Sequence, residues 1–374
     1  MIKFYDLYKS NSKYIHQYSS EINKVIKSNY FINSKNVKKF EESFAKYCGA
    51  KYCAAVGNGY DALNISFNAL IQSKKIKKGD EVIVPANTYI ASILPITNNG
   101  LKPILVEPDI HSLNIDVNLI EKSITNKTKC ILVVHLYGNP ANMQKILKLK
   151  KKYNLYLIED VAQAHGAMVN YKKVGTFGIA GCFSFFPGKN LGCFGDAGAI
   201  ITNDEKFYKI AKSISNYGEN DFKNYSDRKY ENIYLGVNSR MDEIQAVILN
   251  LKLKKLDFEN EERKKIANLY NEHIKNILIN KPNLKYFSNS VWHLYTIFVD
   301  NRSKFIDYMK KKGIQTMIHY PIPPYKQNCY KKYFIKKNYS ITNWIHGHIV
   351  SLPLQPYLPY NQVMKIIKIL NSYQ

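Results

Sequence analysis

Short apolar runs alternate with stretches of helical spacing through the first two thirds of the chain. The runs Tyr52–Val56, Glu81–Val84, Pro103–Val106, Cys130–Leu136, Leu155–Glu159 and Gly181–Phe186 read as strands. Val37–Tyr47 and Asp61–Ile71 carry helical spacing between them. This alternation predicts an α/β fold, a mostly parallel sheet flanked by helices. Polar or glycine-containing turns follow most of the strands. Ligands of open α/β sheets sit outside the carboxyl ends of strands, so these turns are the first place to look for function. From Asp242 to about Ile279 the pattern turns helical and charged, long enough to bridge two units. Beyond it, Leu294–Val299 and Gln315–His319 read as strands, and Ser303–Lys311 and Tyr360–Leu370 as helices. The expected division is a large domain over 1–245 and a smaller C-terminal α/β domain over 246–374.

The 374 residues suit one large domain plus a smaller one, and the 45% hydrophobic content suffices for a substantial core. Met1 to Ser10 already carries Lys3, Asp6 and Lys9, unlike a secretory leader. No long uninterrupted apolar window predicts a membrane span. Cys48, Cys53, Cys130, Cys182, Cys193 and Cys329 form neither a CxxC pair nor a Cys/His cluster. Reduced thiols in a cytoplasm, and no metal site, are therefore expected. The formal charge of +25 invites a nucleic-acid reading, but only Arg228, Arg240, Arg263 and Arg302 among the 54 basic residues are arginine. Gripping phosphates and base edges favours the planar guanidinium fork, so no nucleic-acid partner is expected. A charged sugar nucleotide would also be attracted by such a field.

Three features carry chemistry. VGNGYDAL (Val56–Leu63) leaves a strand and opens a helix, where glycines admit a ligand close to the backbone and free N–H groups suit a phosphate. Gly57 to Ala62 fits a relaxed GxGxxA dinucleotide fingerprint. The next strand, however, ends in Pro85, Ala86 and Asn87, without the acidic residue that would hold a ribose. A single-phosphate site is the better reading. Asp160 closes the run begun at Leu155. It is placed either to pair with a protonated pyridine nitrogen or to cap the following helix. In GCFSFFPGKNLGCFGDAGAI, Ser184 and Lys189 follow a strand in a glycine-rich loop. A partly desolvated lysine there has a lowered pKa and an amine free to form a Schiff base. Phosphate turn, carboxylate strand, then serine and lysine supply, in order, the groups that pyridoxal phosphate (PLP) needs.

In these motifs the chain resembles the DegT/DnrJ/StrS family of sugar aminotransferases, within the fold-type I class of PLP enzymes. The resemblance runs nearly end to end, through GNGYDAL, PANTYIAS, HLYGNPANM, IEDVAQAHGA, SFFPGKNLGCFGDAGA, NSRMDEIQA, IHYPIPPY and SLPLQPYLP. It implies that Lys189 links to the cofactor, that Asp160 pairs with its ring nitrogen and that Gln163 approaches its phenolic oxygen. It implies too that Gly59, Tyr60 and Ser184 hold the phosphate, that Tyr89 stacks on the ring, and that Asn238 reaches the phosphate of a neighbouring subunit in a homodimer. Tyr60 stands where Thr or Ser is common, so only its backbone N–H carries over. Asn139 stands where Gln is common. Family members that lack the lysine act as dehydratases, a branch that Lys189 argues against.

The implied reaction is ping-pong. L-Glutamate leaves its amino group on the cofactor as pyridoxamine phosphate, and a keto sugar carried by a nucleotide then takes it. Gln163 and His165 in AQAHGA, with the PGKNLG loop, look closer to the enzymes that aminate C3 than to those that aminate C4. A dTDP-linked 3-keto-6-deoxyhexose is therefore the expected acceptor, and the 4-keto sugar the alternative. His165 reads as a substrate contact, His319 and Tyr320 as sugar contacts or core residues, and Arg240 as a donor-carboxylate ligand or a partner of Asp242 or Glu243. Two rivals of other classes are an NAD(P)-dependent sugar oxidoreductase, which leaves the Lys189 loop unexplained, and a non-enzymatic regulator, which leaves the Lys189, Asp160 and Gln163 set unexplained.

Overall fold

The computed structural model describes residues 1–220, 231–334 and 338–374. Arg228 lies outside the described residues. Seven strands build the central sheet: β1 (Tyr52–Val56), β2 (Glu81–Pro85), β3 (Lys102–Val106), β4 (Thr128–Val134), β5 (Tyr156–Asp160), β6 (Ala180–Ser184) and β7 (Gly198–Thr202). Their spatial order is β1-β7-β6-β5-β4-β2-β3. β1 to β6 all run one way, while β7 runs against both of its neighbours. The sequence pattern does not announce β7, because glycines at 192, 195 and 198 make GAIIT read as the tail of a loop. All five of its residues are nevertheless buried.

Both faces of the sheet are covered, as a mostly parallel sheet requires. Alternate residues serve opposite cores. Val82, Val84, Leu132 and Ile158 pack on one side with α3 (Gly59–Gln72) and α5 (Glu205–Ser215). Ile83, Ile131, Val133 and Leu157 pack on the other with α4 (Met143–Lys152). On that second side Phe40 and Phe44 of α2 (Lys35–Cys48) meet Phe183 and Phe185 edge to face. Ahead of α2 lies α1 (Ile15–Ser28).

The long helical pattern after Asp242 is two helices, α6 (Glu243–Leu253) and α7 (Leu256–His273), broken at Lys254–Lys255. Ile274 is already extended, so the expected reach to Ile279 falls short. The following part pairs β8 (Tyr295–Phe298) with β9 (Ile349–Leu352) in a separate antiparallel sheet. Helices α8 (Arg302–Lys311), α9 (Ser340–His348) and α10 (Tyr360–Asn371) accompany it. Gln315–His319 is no strand. Only Met317 bridges to Ser351, and the cavity-lining backbone that follows leaves the sheet. This core also takes in Ile2 and Phe4 from the start of the chain. The expected boundary at 245 falls inside α6. Among the described residues no helix is long and apolar enough to cross a membrane. All six cysteines are free thiols, five of them buried.

Glu243 shows how α6 is tied to the start of α2. Its carboxylate is buried and accepts the backbone N–H groups of Ser34 (2.8 Å), Asn36 (2.9 Å) and Val37 (3.1 Å). These are the orphan donors at the start of α2. Glu243→Ala leaves them unpaired in the interior. It is expected to lower the unfolding free energy by about 2–3 kcal/mol, read from denaturant unfolding of the variant beside the parent.

Candidate active site

A cavity of about 720 Å³ opens at the carboxyl edge of the large sheet, against β9 and the segment around His319. Gly59, Tyr60, Tyr89, Asp160, Gln163, Ser184, Lys189, His319 and Tyr320 all line it, so most of the residues singled out from the sequence converge. His165, Asn238 and Arg240 do not.

The phosphate turn is built by close approach. A Cβ on Gly59 would lie 2.5 Å from Ser184 Cβ, and one on Gly198 would lie 2.3 Å from the Asn58 carbonyl oxygen. Glycine at both positions lets three chain segments meet at one point. Around them the turn's other donors are committed. Gly57 N–H donates to Ser239 Oγ (2.9 Å), Asp61 N–H to Asn58 Oδ1 (2.8 Å) and Ala62 N–H to the Asn58 carbonyl (3.1 Å). The N–H groups of Gly59 and Tyr60, in the first turn of α3, have no helical acceptor. With the Ser184 hydroxyl they form a seat that fits a phosphate. The Tyr60 hydroxyl instead accepts from Asn98 Nδ2, so the side chain is turned to a neighbour and the backbone is what the seat uses.

Asp160 ends β5 and faces the cavity. Ala162 N–H (3.1 Å) and Ser92 Oγ–H (2.8 Å) donate to its carboxylate. Because Ser92 donates there, the 2.8 Å contact between Ser92 Oγ and Thr88 Oγ1 has Thr88 as donor. Burial pushes the Asp160 carboxyl above its ordinary range, and the bonds from Ser92 and Ala162 and the charge of Lys189 work against that. A bound cation at this point would favour the carboxylate further, as a protonated ring nitrogen does.

Lys189 follows β6 in the loop that β7 closes. Its N–H donates to the Phe186 carbonyl (2.8 Å), while Lys252 Nζ (2.8 Å) and Gln245 hold the loop farther on. Burial brings the amine down to about 8, and the Asp160 charge partly offsets the fall. Near neutral pH such an amine keeps a far larger nucleophilic fraction than a surface lysine does, although most of it is still protonated below about 8.

Gln163 has two partners. Its Oε1 accepts Tyr137 N–H (2.6 Å), which fixes Nε2 as the cavity-side donor, and Nε2 donates to Tyr320 Oη (2.8 Å). One N–H remains for a ligand oxygen. Half-exposed Tyr89 lies with its ring centroid 4.8 Å from that of Tyr320. His319 Nδ1 contacts Ser351 Oγ at 2.9 Å. His165 lies behind the wall. Its Nε2 donates to the Ser184 carbonyl (2.9 Å), and burial depresses its pKa to about 3. Arg240 donates to Asn216 Oδ1 (3.1 Å) rather than to Asp242 or Glu243. Asn238 is exposed on the surface of this chain, next to the Ser239 that holds Gly57.

Thr88, Ser92 and His293 escape the sequence reading although all three line the cavity. Thr88 and Ser92 lie within PANTYIAS, but nothing in that string reveals that they face Asp160. Among the described residues no group of three or more His, Cys, Asp or Glu side chains could hold a metal ion. The phosphate seat, the carboxylate and the lowered amine together fit PLP.

Two outcomes test this site. Lys189→Ala is expected to abolish turnover and the borohydride-fixed link between chain and cofactor, checked by mass spectrometry of the reduced protein. In the parent, capture of PLP by the cofactor-free chain should quicken as pH rises through about 8, because below that value the amine is protonated and lacks its attacking lone pair. A rate that stays flat from pH 6 to 9 would contradict the lowered amine.

Comparison with known proteins agrees with the geometry. The model of the DegT/DnrJ/EryC1/StrS aminotransferase family matches residues 14–371. The dTDP-3-amino-3,6-dideoxy-alpha-D-galactopyranose transaminase of Aneurinibacillus thermoaerophilus is 48% identical over 373 residues, covering 100% of this chain and 99% of that protein. The crystal structure of S. venezuelae DesV in complex with a ketimine intermediate superposes with a TM-score of 0.93 at 34% identity, over 99% of this chain and 98% of that one. E. coli GDP-4-keto-6-deoxy-D-mannose-3-dehydratase with bound hydrated PLP gives a TM-score of 0.87 at 26% identity, over 94% and 96% of the two chains. The chain is therefore a PLP-dependent sugar nucleotide aminotransferase and belongs to the DegT/DnrJ/EryC1/StrS aminotransferase family.

Proposed function

We propose that this enzyme transfers the amino group of L-glutamate to C3 of a dTDP-linked 3-keto-6-deoxyhexose, giving the 3-amino-3,6-dideoxy sugar. The observation that carries this reading is the 48% identity, across the whole chain, to a transaminase named for such a sugar. Gln163 adds support. It stands where many C4-aminating relatives place a histidine, and it is bonded to Tyr320 on the cavity wall. An uncharged amide there orients a sugar by donating, without adding a second titrating group beside the cofactor oxygen.

PLP supplies, when bound, an electron sink and a carrier for the amino group. The chain does the rest. Gly59 and Tyr60 N–H groups and the Ser184 hydroxyl bind the phosphate. Asp160 is the carboxylate that would pair with the ring nitrogen, and the hydrogen bond from Ser92 favours its ionised form. Lys189 Nζ takes the proton from the donor's α-carbon and returns one to the sugar carbon in the second half-reaction. Tyr89 and Tyr320 give the ring and the sugar an aromatic wall. The working unit in this reading is a cytoplasmic homodimer, with Asn238 presented to the partner's phosphate.

Competition between 3-keto and 4-keto dTDP-6-deoxyhexoses with glutamate, followed by NMR of the product, tests the regiochemistry. Amination of the 3-keto sugar is expected. Amination of the 4-keto sugar alone would overturn the C3 assignment and leave the aminotransferase intact. Mixing inactive Lys189→Ala with inactive Asn238→Ala under subunit exchange should restore part of the activity, since one of the mixed sites then has both residues. No recovery in demonstrably mixed dimers would remove Asn238 from a shared site.

A further inference from the structure

His293 leads into β8 and lines the cavity that holds Lys189. Its Nδ1 lies 3.1 Å from Oδ1 of Asn190, the residue that follows Lys189. The buried Asn190 amide nitrogen donates to the Val291 carbonyl at 3.0 Å and to Asn260 Oδ1 at 2.9 Å. A backbone carbonyl only accepts, so the Asn190 atom that faces it is the NH2 group and its Oδ1 is the acceptor. Asn260 is fixed in the same way, because its own Nδ2 donates to the His165 carbonyl at 2.9 Å. The proton between His293 and Asn190 therefore sits on Nδ1, and in the neutral ring Nε2 keeps a lone pair. That atom has no hydrogen-bond partner among the described residues. Burial, followed by the charge of Lys189, holds the ring's pKa well below its ordinary range. Lys189, Arg263, His319 and His165 are the groups that act on it, and Asp160 acts on Lys189.

We propose that His293 is a positioning residue for Lys189: its Nε2, an unpartnered acceptor on the wall of the same cavity, is the atom to which the lysine amine turns one N–H when it swings free of the cofactor, and so it directs the amine's lone pair. The inference rests on Lys189 as the proton carrier. A neutral amine has two N–H bonds and one lone pair at the end of a flexible stem. Engaging one N–H limits where the lone pair points. Nε2 acts only in this sense, because its single ring proton is pinned on the opposite side by Asn190. An ionised histidine would repel the ammonium and a mobile tautomer would blur its direction; this ring does neither. The same asparagine ties down the backbone next to Lys189, so the root of the stem and the acceptor for its tip are held by one clamp.

His293→Phe and His293→Gln test the assignment. With Phe, kcat should fall about tenfold or more, while KM for both substrates stays within about twofold. The pH at which Lys189 of the cofactor-free protein becomes reactive to an amine-directed reagent, followed by peptide mass, should shift downward, because an acceptor favours the ammonium form. Gln, which offers a carbonyl oxygen, should recover most of both. Nitrogen-15 spectra of the histidine-labelled parent, assigned by difference against His293→Gln, should show an Nδ1–H neutral ring. Equal losses in Phe and Gln with unchanged lysine titration, a raised KM with kcat intact, or an Nε2–H ring would each overturn the proposal. A Lys189→Ala enzyme that still turns over removes the footing of both readings. An inactive Lys189→Ala with a silent His293→Phe removes only this one.

Discussion

A carboxylate and an amine set in one desolvated cleft each resist their charged form, and the architecture around Asp160 and Lys189 answers that resistance. Burial alone favours the protonated form of Asp160 and the neutral form of Lys189. The directed pair of hydroxyls from Thr88 and Ser92, with the Ala162 N–H, pulls the carboxyl back toward its anion. Among the described residues the Asp160 charge is what opposes the fall of the Lys189 amine. The hydrogen bonds therefore favour the anion at Asp160 while burial favours the free amine at Lys189. One cleft thus runs acid and base chemistry with a single carboxylate and a single lysine.

The fold makes this arrangement with strand ends. Asp160 and Ser184 close β5 and β6, and Val56 closes β1 just before the phosphate turn, all at one edge of the sheet. The reversed strand β7 brings its first residue, Gly198, back to the same edge beside Asn58. The Lys189 loop is therefore anchored at both ends by sheet pairing, where a crossover connection would anchor it at one. Bonds from α6 and α7 hold its middle. Gly138 (φ +92°) serves the far wall. A Cβ there would lie 2.7 Å from the backbone nitrogen of His293, so the turn after β4 can press directly on the segment that carries His293.

What the sequence made legible follows from how local each signal is. Asp160 ends an apolar run, Lys189 sits among glycines and aromatics, and GNGYDAL opens a helix, so each is visible within a dozen residues. The strands β1 to β6 show for the same reason. Ser92, Asn260 and His293 act through partners distant in sequence, and no short pattern carries that information. His165 is the converse case, a motif residue whose neighbours suggested substrate but whose ring supports Ser184 from behind. β7 was hidden because its first residue must be glycine for packing, which disguises a buried strand as loop. In the sequence Glu243 is one of the two acids beside Arg240 that could pair with it. Only the folded chain brings the open end of α2 to it.

The phosphate seat joins Asn58–Gly59, Ser184 and Gly198, segments far apart along the chain that touch only at positions without a side-chain obstacle. It therefore exists only in the folded protein. Whatever binds there stabilises the native state by mass action, in proportion to the logarithm of its concentration over its dissociation constant. Cofactor supply and protein lifetime are thus linked quantities. A copy of this enzyme without its cofactor is accordingly the one that stands closer to unfolding.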